Sequence, residues 1–237
     1  APLSAQQQEP AQLWEDFLHY VMVARPDLAS AAGTVLLETP DDGVLLDTVE
    51  ASDRKDYVAI LDRAEGMETV KQVAEQLRHR ITKARIDRSR EPQRIKAAIR
   101  QLGEGRRAYL NSVQRLRAAG QYAAPHMLKT LLDRKQGKLH PFVMSATVAI
   151  GRPMVYPFSE AIDELEPVAM GQVAQVLGEI GYPTALPYLQ RVRETEGIDQ
   201  TAAGIVDAAF QTIVARVGEH GELGAGELFY LLGANQY

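Results

Sequence analysis

The sequence contains no cysteine, few aromatic residues and no long apolar run. The absence of cysteine excludes disulfide frameworks, thiol nucleophiles and thiolate metal sites, although it does not fix the compartment. Aromatic residues make up 6% of the chain whereas alanine and leucine are abundant, and this mixture favours helices over sheets. The longest apolar run near the N-terminus, residues 20–24, is far shorter than the ~20 residues of a membrane span. The remaining composition, 46% hydrophobic and 24% charged over 237 residues, is typical of a globular protein.

Three segments of the chain share one pattern, in which a glycine is followed by a proline five or six residues later. The segments are Gly120–Pro125, Gly151–Pro157 and Gly181–Pro187, and their prolines are 32 and 30 residues apart. A period of this size, with two helical stretches in each unit, indicates a stacked array of helices.

Apolar spacing predicts a pair of helices after each of these glycines. A single pair cannot bury its apolar stripe alone, so neighbouring pairs must stack. In the N-terminal region we expect Trp14 to anchor a core between two helices, whereas the short apolar stretch 44–49 fits either a helical turn or an extended segment. The predicted first helices cover about 123–134, 154–164 and 184–194, and the second helices about 140–150, 166–180 and 199–216.

The run Val176–Leu189 resembles the junction between HEAT repeats. One helix ends there in a Leu-Gly-x-Ile-Gly turn, and the next carries an Ala-x-Pro-x-Leu element. Residues 120–128 match the same element, and residues 151–158 match it without the alanine before the proline. The resemblance covers roughly residues 90–216. It implies an all-α fold, a right-handed α-solenoid of stacked antiparallel helix pairs, and a role in binding any of many unrelated partners.

With this resemblance the chain divides into four parts. We predict a flexible tail over 1–10, an N-terminal helical segment over 11–90 that caps the array, and a HEAT-like array over 91–220. Residues 221–237 would begin a C-terminal helix. Within that helix Phe229, Leu232 and Gly233 resemble the opening of a tetratricopeptide helix, with the expected aromatic residue displaced by one position to Tyr237. This helix is either the start of a further array or a simple cap.

No arrangement of residues in the sequence predicts catalysis. The five histidines lack the spacing of a zinc site, and neither a phosphate-binding loop nor a nucleophile elbow is present. An acidic cluster has the spacing of a solvated helix face next to a turn. Its members are Glu160, Asp163, Glu164 and Glu166. We therefore predict no catalytic residue, no metal site and no cofactor.

The strongest chemical asymmetry is a basic band over residues 78–117. It contains thirteen lysines and arginines against three acids, a charge of +10, so the rest of the chain must carry −15 to give the net −5. The band has three open interpretations: internal packing against acidic residues, docking of an acidic protein, or binding of nucleic acid through phosphates. The third is least favoured because only Tyr109 could stack on bases and the whole chain has a pI of about 5.6.

We predict a non-catalytic scaffold that binds an as yet unidentified protein, with nucleic acid or another polyanion as the alternative ligand. The second helices of such arrays usually line the concave surface, so polar residues there are candidate contacts together with part of the basic band. The opening residues 1–10 are small and polar, as expected after a removed export signal or in a chain that has only lost its initiator methionine, and we slightly favour an exported or periplasmic location over a cytoplasmic one. The candidate partner contacts are Arg94, Lys96, Arg100, Arg106, Arg107, Gln172, Gln175 and Glu179.

Overall fold

A computed structural model describes residues 9–218 and 223–234, and every regular element in these residues is a helix. The prediction of an all-α class is therefore confirmed. Most of the predicted tail, and Tyr237 of the tetratricopeptide-like pattern, lie outside the described residues. The chain divides into two compact units, unit 1 (Ala1–Arg88) and unit 2 (Ser89–Tyr237).

From residue 9 onward, where the structure describes it, unit 1 has five helices around one apolar core. Trp14 is fully buried there, with its ring 6.0 Å from that of Phe17 and 5.9 Å from that of Tyr57, so its predicted role as a core anchor is confirmed. The first helix packs against the next three. The helices are α1 (Pro10–Met22), α2 (Pro26–Leu37), α3 (Asp42–Ala51), α4 (Tyr57–Glu65) and α5 (Lys71–Ser89).

The stretch 44–49 is helical and lies within α3. The helix begins there because the Asp41 carboxylate accepts a hydrogen bond of 2.7 Å from the Gly43 N–H and caps the first turn. Leu45, Leu46 and Val49 then face the core of unit 1.

Unit 2 continues with helices that pack in neighbouring pairs, an arrangement compatible with a helical repeat. One set of helices, here called the first row, consists of α6, α8, α10 and α12, each in contact with the next. The second row, α7, α9, α11 and α13, is connected in the same way. The bounds are α6 (Pro92–Gln101), α7 (Arg106–Ala119), α8 (Ala124–Leu132), α9 (His140–Ile150), α10 (Val155–Ala161), α11 (Pro167–Ile180), α12 (Leu186–Arg193), α13 (Gln200–Val217) and α14 (Ala225–Ala234).

The three glycine–proline segments form the junctions that lead into α8, α10 and α12. Their glycines have φ values of 60°, 81° and 70°, a backbone region that a side chain would disfavour. A short 3-10 turn lies within each segment and precedes the first-row helix. Pro125 and Pro187 lie in the first turn of their helices, where the missing N–H is not needed.

The second row contains the closest helix packing in unit 2. A methyl group added to Gly178 on α11 would lie 2.9 Å from the Cα of Ala209 on α13, so glycine permits this approach. Fully buried Phe158, Leu177 and Phe210 contribute to the same apolar core. Among the described helices, none combines the length and apolar composition that crossing a membrane requires.

Candidate functional site

Three of the predicted contacts lie together in a groove between α9 and α11, here called the second-row groove. Gln172, Gln175 and Glu179 follow one face of α11. The groove has a volume of about 430 Å³ and also exposes apolar surface from Pro141 and Met144. Its complete lining is Gly137, His140, Pro141, Met144, Ser145, Gln172, Gln175 and Glu179.

His140 connects the two sides of this groove. Its Nε2 lies 3.2 Å from the backbone oxygen of Asp133, which can only accept, so Nε2 donates the hydrogen bond. Nδ1 is then left to accept from the Gln172 side-chain amide at 3.4 Å. In this arrangement the Gln172 Oε1 is buried and has no hydrogen-bond partner among the described residues. An orphaned buried acceptor costs about 1–3 kcal/mol, which a donor from a partner would recover.

Toward the end of α11 the groove becomes acidic. Gln175 donates a hydrogen bond of 2.9 Å to the carboxylate of Glu179, and both residues are exposed. The backbone carbonyl of Glu179 accepts from the guanidinium of Arg216 at 3.1 Å, which satisfies one of the unpaired carbonyls at the helix end. The main chain is therefore held on α13 while the carboxylate stays free to contact a ligand.

A second concave region, here called the basic pocket, lies between the first-row helices α6 and α8. Each helix presents three residues at positions i, i+3 and i+4, which share one face. Ile99 and Thr130 are almost fully buried, with 3% and 5% of their surface exposed, and the cationic side chains surround them. The pocket has a volume of about 270 Å³ and is lined by Lys96, Ile99, Arg100, His126, Lys129, Thr130 and Gln136.

The positive charge of the basic pocket is not neutralised within the described residues. Lys96, Arg100 and Lys129 form no ion pair and no side-chain hydrogen bond with any residue of 9–218 or 223–234. Burial, followed by the charges of Lys96 and Lys129, lowers the pKa of His126 below its usual value. The pocket is therefore a region of positive potential that disfavours protonation of His126.

The carboxylate of Asp133, directly after α8, is engaged in the turn that follows the helix. Asp133 accepts a hydrogen bond of 2.9 Å from the side chain of Gln136 and one of 3.0 Å from the Lys135 N–H. These bonds lower the pKa of Asp133 and keep its charge directed at the turn after α8. Its contacts therefore provide no counterion for the lysines of the pocket.

The other predicted contacts are dispersed. Arg94 is exposed and forms an ion pair of 3.1 Å with Glu91, three residues earlier. Arg106 and Arg107 are exposed at the first two positions of α7, and neither has a partner in the described part of the chain. The structure thus brings Lys96 and Arg100 together and leaves the remaining three arginines outside the basic pocket.

The N-terminal part of the basic band is engaged within unit 1. Arg80 donates to the carboxylate of Asp42 at 2.6 Å and to the backbone oxygens of Leu37 and Thr39 at 2.8 Å and 2.6 Å. The remaining contacts pair Arg78 with Asp62 and Glu65, Lys83 with Asp42 and Asp87, Arg85 with the hydroxyl of Tyr57, and Arg88 with Asp47 and Glu50. This part of the band is therefore largely committed to internal contacts.

The acidic cluster on α10 and the following turn also forms contacts within unit 2. Asp163 pairs with Arg191 at 2.8 Å, and Glu166 pairs with Arg134 at 2.9 Å. The described residues contain no group of three or more histidine and acidic side chains arranged to hold a metal ion.

Sequence reasoning missed His126, Lys129, His140 and Met144. The signal for the first two was the matching i, i+3, i+4 spacing on α6 and α8, which becomes informative only when those helices are known to be neighbours. For His140 and Met144 the signal was their position on α9, the second-row helix before α11.

Comparison with known proteins finds no family model, no curated protein and no solved structure that matches the chain. The resemblance to HEAT repeats therefore depends on the chain's own motifs and on the pairwise packing of its helices.

Proposed function

We propose that the chain is a non-catalytic protein-binding scaffold whose unit 2 is a HEAT-like α-solenoid, and that the second-row groove binds a segment of a partner protein. The observation that carries the proposal is the groove itself. Gln172, Gln175 and Glu179 were predicted as contacts from their place on a second helix, and they line one cavity with His140. Scaffolds of this architecture act through such surfaces and need no cofactor.

The chemistry of the groove indicates what the partner segment should offer. A backbone or side-chain N–H would satisfy the orphaned Oε1 of Gln172. An apolar side chain would cover Pro141 and Met144, and methionine adapts easily to different shapes. A lysine or arginine would pair with Glu179 at the exposed end. We therefore expect a polypeptide segment with a central apolar residue and a nearby cation.

The test compares two charge-reversing variants in partner capture from source cells, read by quantitative mass spectrometry. Gln175→Arg/Glu179→Arg alters the groove. Gln12→Arg/Asp16→Arg on α1 is a matched control because it disrupts the same kind of amide–carboxylate bond at the same i, i+4 spacing. We expect one or more proteins to be captured by the wild type and the control and lost from the groove variant. Equal capture by all three proteins would contradict the proposal.

A second candidate is polyanion binding through the basic band. It is favoured by Lys96, Arg100, Arg106 and Arg107, which lack partners among the described residues. It is weakened by the ion pairs of Arg78, Arg80, Lys83 and Arg88 on α5, because paired charges release fewer counterions on binding. A polymer bound through the band should lose affinity steeply as salt is raised.

A further inference from the structure

The basic pocket concentrates like charges at a cost to the folded protein. Lys96 and Arg100 are separated by four residues on α6, a spacing at which like charges repel. Lys129 on α8 adds a third cation to the same cavity, and no acid of the described residues neutralises any of the three. An anionic ligand would remove this repulsion, so the arrangement suits binding better than it suits stability.

We propose that the basic pocket is a binding site for a single phosphoryl group, carried by a small phosphate ester or by a phosphorylated side chain. This inference is independent of the second-row groove, since it uses other residues on the other row of helices.

The donors of the pocket suit a phosphoryl group in number and in chemical type. Arg100 offers a planar fork that can bind two oxygens at once, and each lysine offers a compact ammonium group. His126 becomes a further donor to the anion when it is protonated. Three fixed positive charges exceed the roughly two negative charges of a phosphate monoester, whereas a carboxylate would leave most of the repulsion in place.

The shape of the pocket favours a compact anion over a nucleic-acid backbone. A volume of about 270 Å³ accommodates one phosphoryl group and its ester oxygen. A polymer would need cations spaced along a track and aromatic surfaces on which bases stack. The pocket instead gathers its cations around buried Ile99 and Thr130, and its lining contains no aromatic residue other than His126.

The test uses the full chain and five probes at low salt: inorganic phosphate, phosphoserine, a phosphoserine peptide, the unphosphorylated form of that peptide, and a single-stranded oligonucleotide. Titration calorimetry measures affinity, and the imidazole signal of His126 in NMR spectra locates binding. Lys96→Gln/Arg100→Gln removes two charges from the pocket. Arg25→Gln/Arg63→Gln removes two exposed charges of unit 1 that have no side-chain partner among the described residues, and it is the matched control.

We expect the phosphoryl probes to shift the His126 signal, and the pocket variant to lose at least about tenfold in affinity while the control changes by less than about twofold. Tighter binding of the phosphopeptide than of phosphoserine would identify a phosphorylated chain as the ligand, and equal binding would identify a small ester. The proposal is overturned if no phosphoryl probe binds, if both variants lose affinity equally, or if only the oligonucleotide binds.

Discussion

Two neighbouring stretches of the basic band differ in whether their cations have partners among the described residues. On α5 of unit 1, Arg80 and Arg88 are mostly buried, with 18% and 15% of their side-chain surfaces exposed, and each contacts acids and backbone carbonyls of α2 or α3. On α6 of unit 2, Lys96 and Arg100 are exposed and have no partner in the described residues. The same residue types therefore hold one unit together and remain available for binding on the other.

The difference lies in what the surrounding chain provides. The acids that pair with α5 from other helices, such as Asp42, Glu50 and Asp62, come from α3 and α4. The face of α6 that meets α8 instead shares the basic pocket with His126 and Lys129. Charge alone thus says little about function, and the partners supplied by neighbouring helices decide whether a cation stabilises the fold or awaits a ligand.

The largest effect should come from removing the buried cation of unit 1. Arg80→Met deletes three hydrogen bonds, which leaves two backbone oxygens without this donor and Asp42 with only the more distant Lys83. We expect the free energy of unfolding of unit 1 to fall by about 2–3 kcal/mol. Denaturant unfolding followed by the fluorescence of Trp14, the only tryptophan, reports on this unit.

Lys83→Met is the matched control for Arg80→Met. Lys83 approaches the same carboxylate of Asp42 at 3.5 Å, but 57% of its side-chain surface is exposed. Because solvent screens exposed pairs, this variant should unfold at nearly the wild-type denaturant concentration. Equal loss of stability in the two variants would mean that burial is not what makes the α5 cations structural.

The next largest effect should come from disturbing the close, uncharged packing of α11 against α13 in unit 2. Gly178→Ala would place a methyl group 2.9 Å from the Cα of Ala209, so α11 and α13 must separate, and we expect a loss of about 1–3 kcal/mol. Gly204→Ala on α13 meets nothing within 4 Å and should instead gain about 0.5–1 kcal/mol. Unfolding by far-UV circular dichroism should show shifts of opposite sign, and two losses would argue against tight packing at Gly178.

Much of the fold could be predicted from the sequence because its signals are local. Each glycine–proline junction, and each apolar stripe of α8 through α13, is encoded by neighbouring residues within a stretch of about fifteen. The second helices accordingly lie close to their predicted bounds. The gathering of Gln172, Gln175 and Glu179 could also be predicted, since their spacing places them on one helical face.

Other features could not be predicted because they depend on contacts between distant segments. The cap from Asp41 is local, but the choice of a helix over an extended segment at 44–49 also depends on burial against the rest of unit 1. The pairing of Arg80 with Asp42 spans 38 residues, and the meeting of Lys96 with Lys129 depends on the packing of α6 against α8. The basic band, which was defined by counting charges along the chain, therefore groups cations that are paired within unit 1 with cations that line the basic pocket of unit 2.

Acid should act on the two units in different pH ranges. Hydrogen bonding by Arg80 lowers the pKa of Asp42 despite partial desolvation, so its stabilisation is present above the unfolded pKa of about 3.9 and is lost as pH falls through the lower folded value. The pKa of His126 is also lowered, so unit 2 loses stability as pH falls through the unfolded value of about 6.5 toward the folded one.

This contrast can be measured by pH-dependent unfolding with two probes, Trp14 fluorescence for unit 1 and hydrogen exchange of α8 amides for unit 2. His126→Asn should flatten the profile near neutral pH without changing the acid limb of unit 1. Sulfate, which stays dianionic throughout, should bind more tightly as pH falls from about 8 to about 5, because the bound anion favours the protonated imidazole. A sulfate affinity that does not change with pH would show that His126 does not interact with the bound anion.

The smallest effect is the most direct test of the comparison. Lys96→Gln/Arg100→Gln removes like-charge repulsion, so the ligand-free protein should gain a few tenths of a kcal/mol in its free energy of unfolding. Arg88→Gln on α5 should instead lower the free energy of unfolding, because it removes the ion pairs with Asp47 and Glu50. In saturating phosphate the wild type should become more stable than the pocket variant, because only the wild type gains stability from the bound anion. A pocket variant that is destabilised without ligand would show that these cations support the fold as those of α5 do, and the distinction between the two helices would disappear.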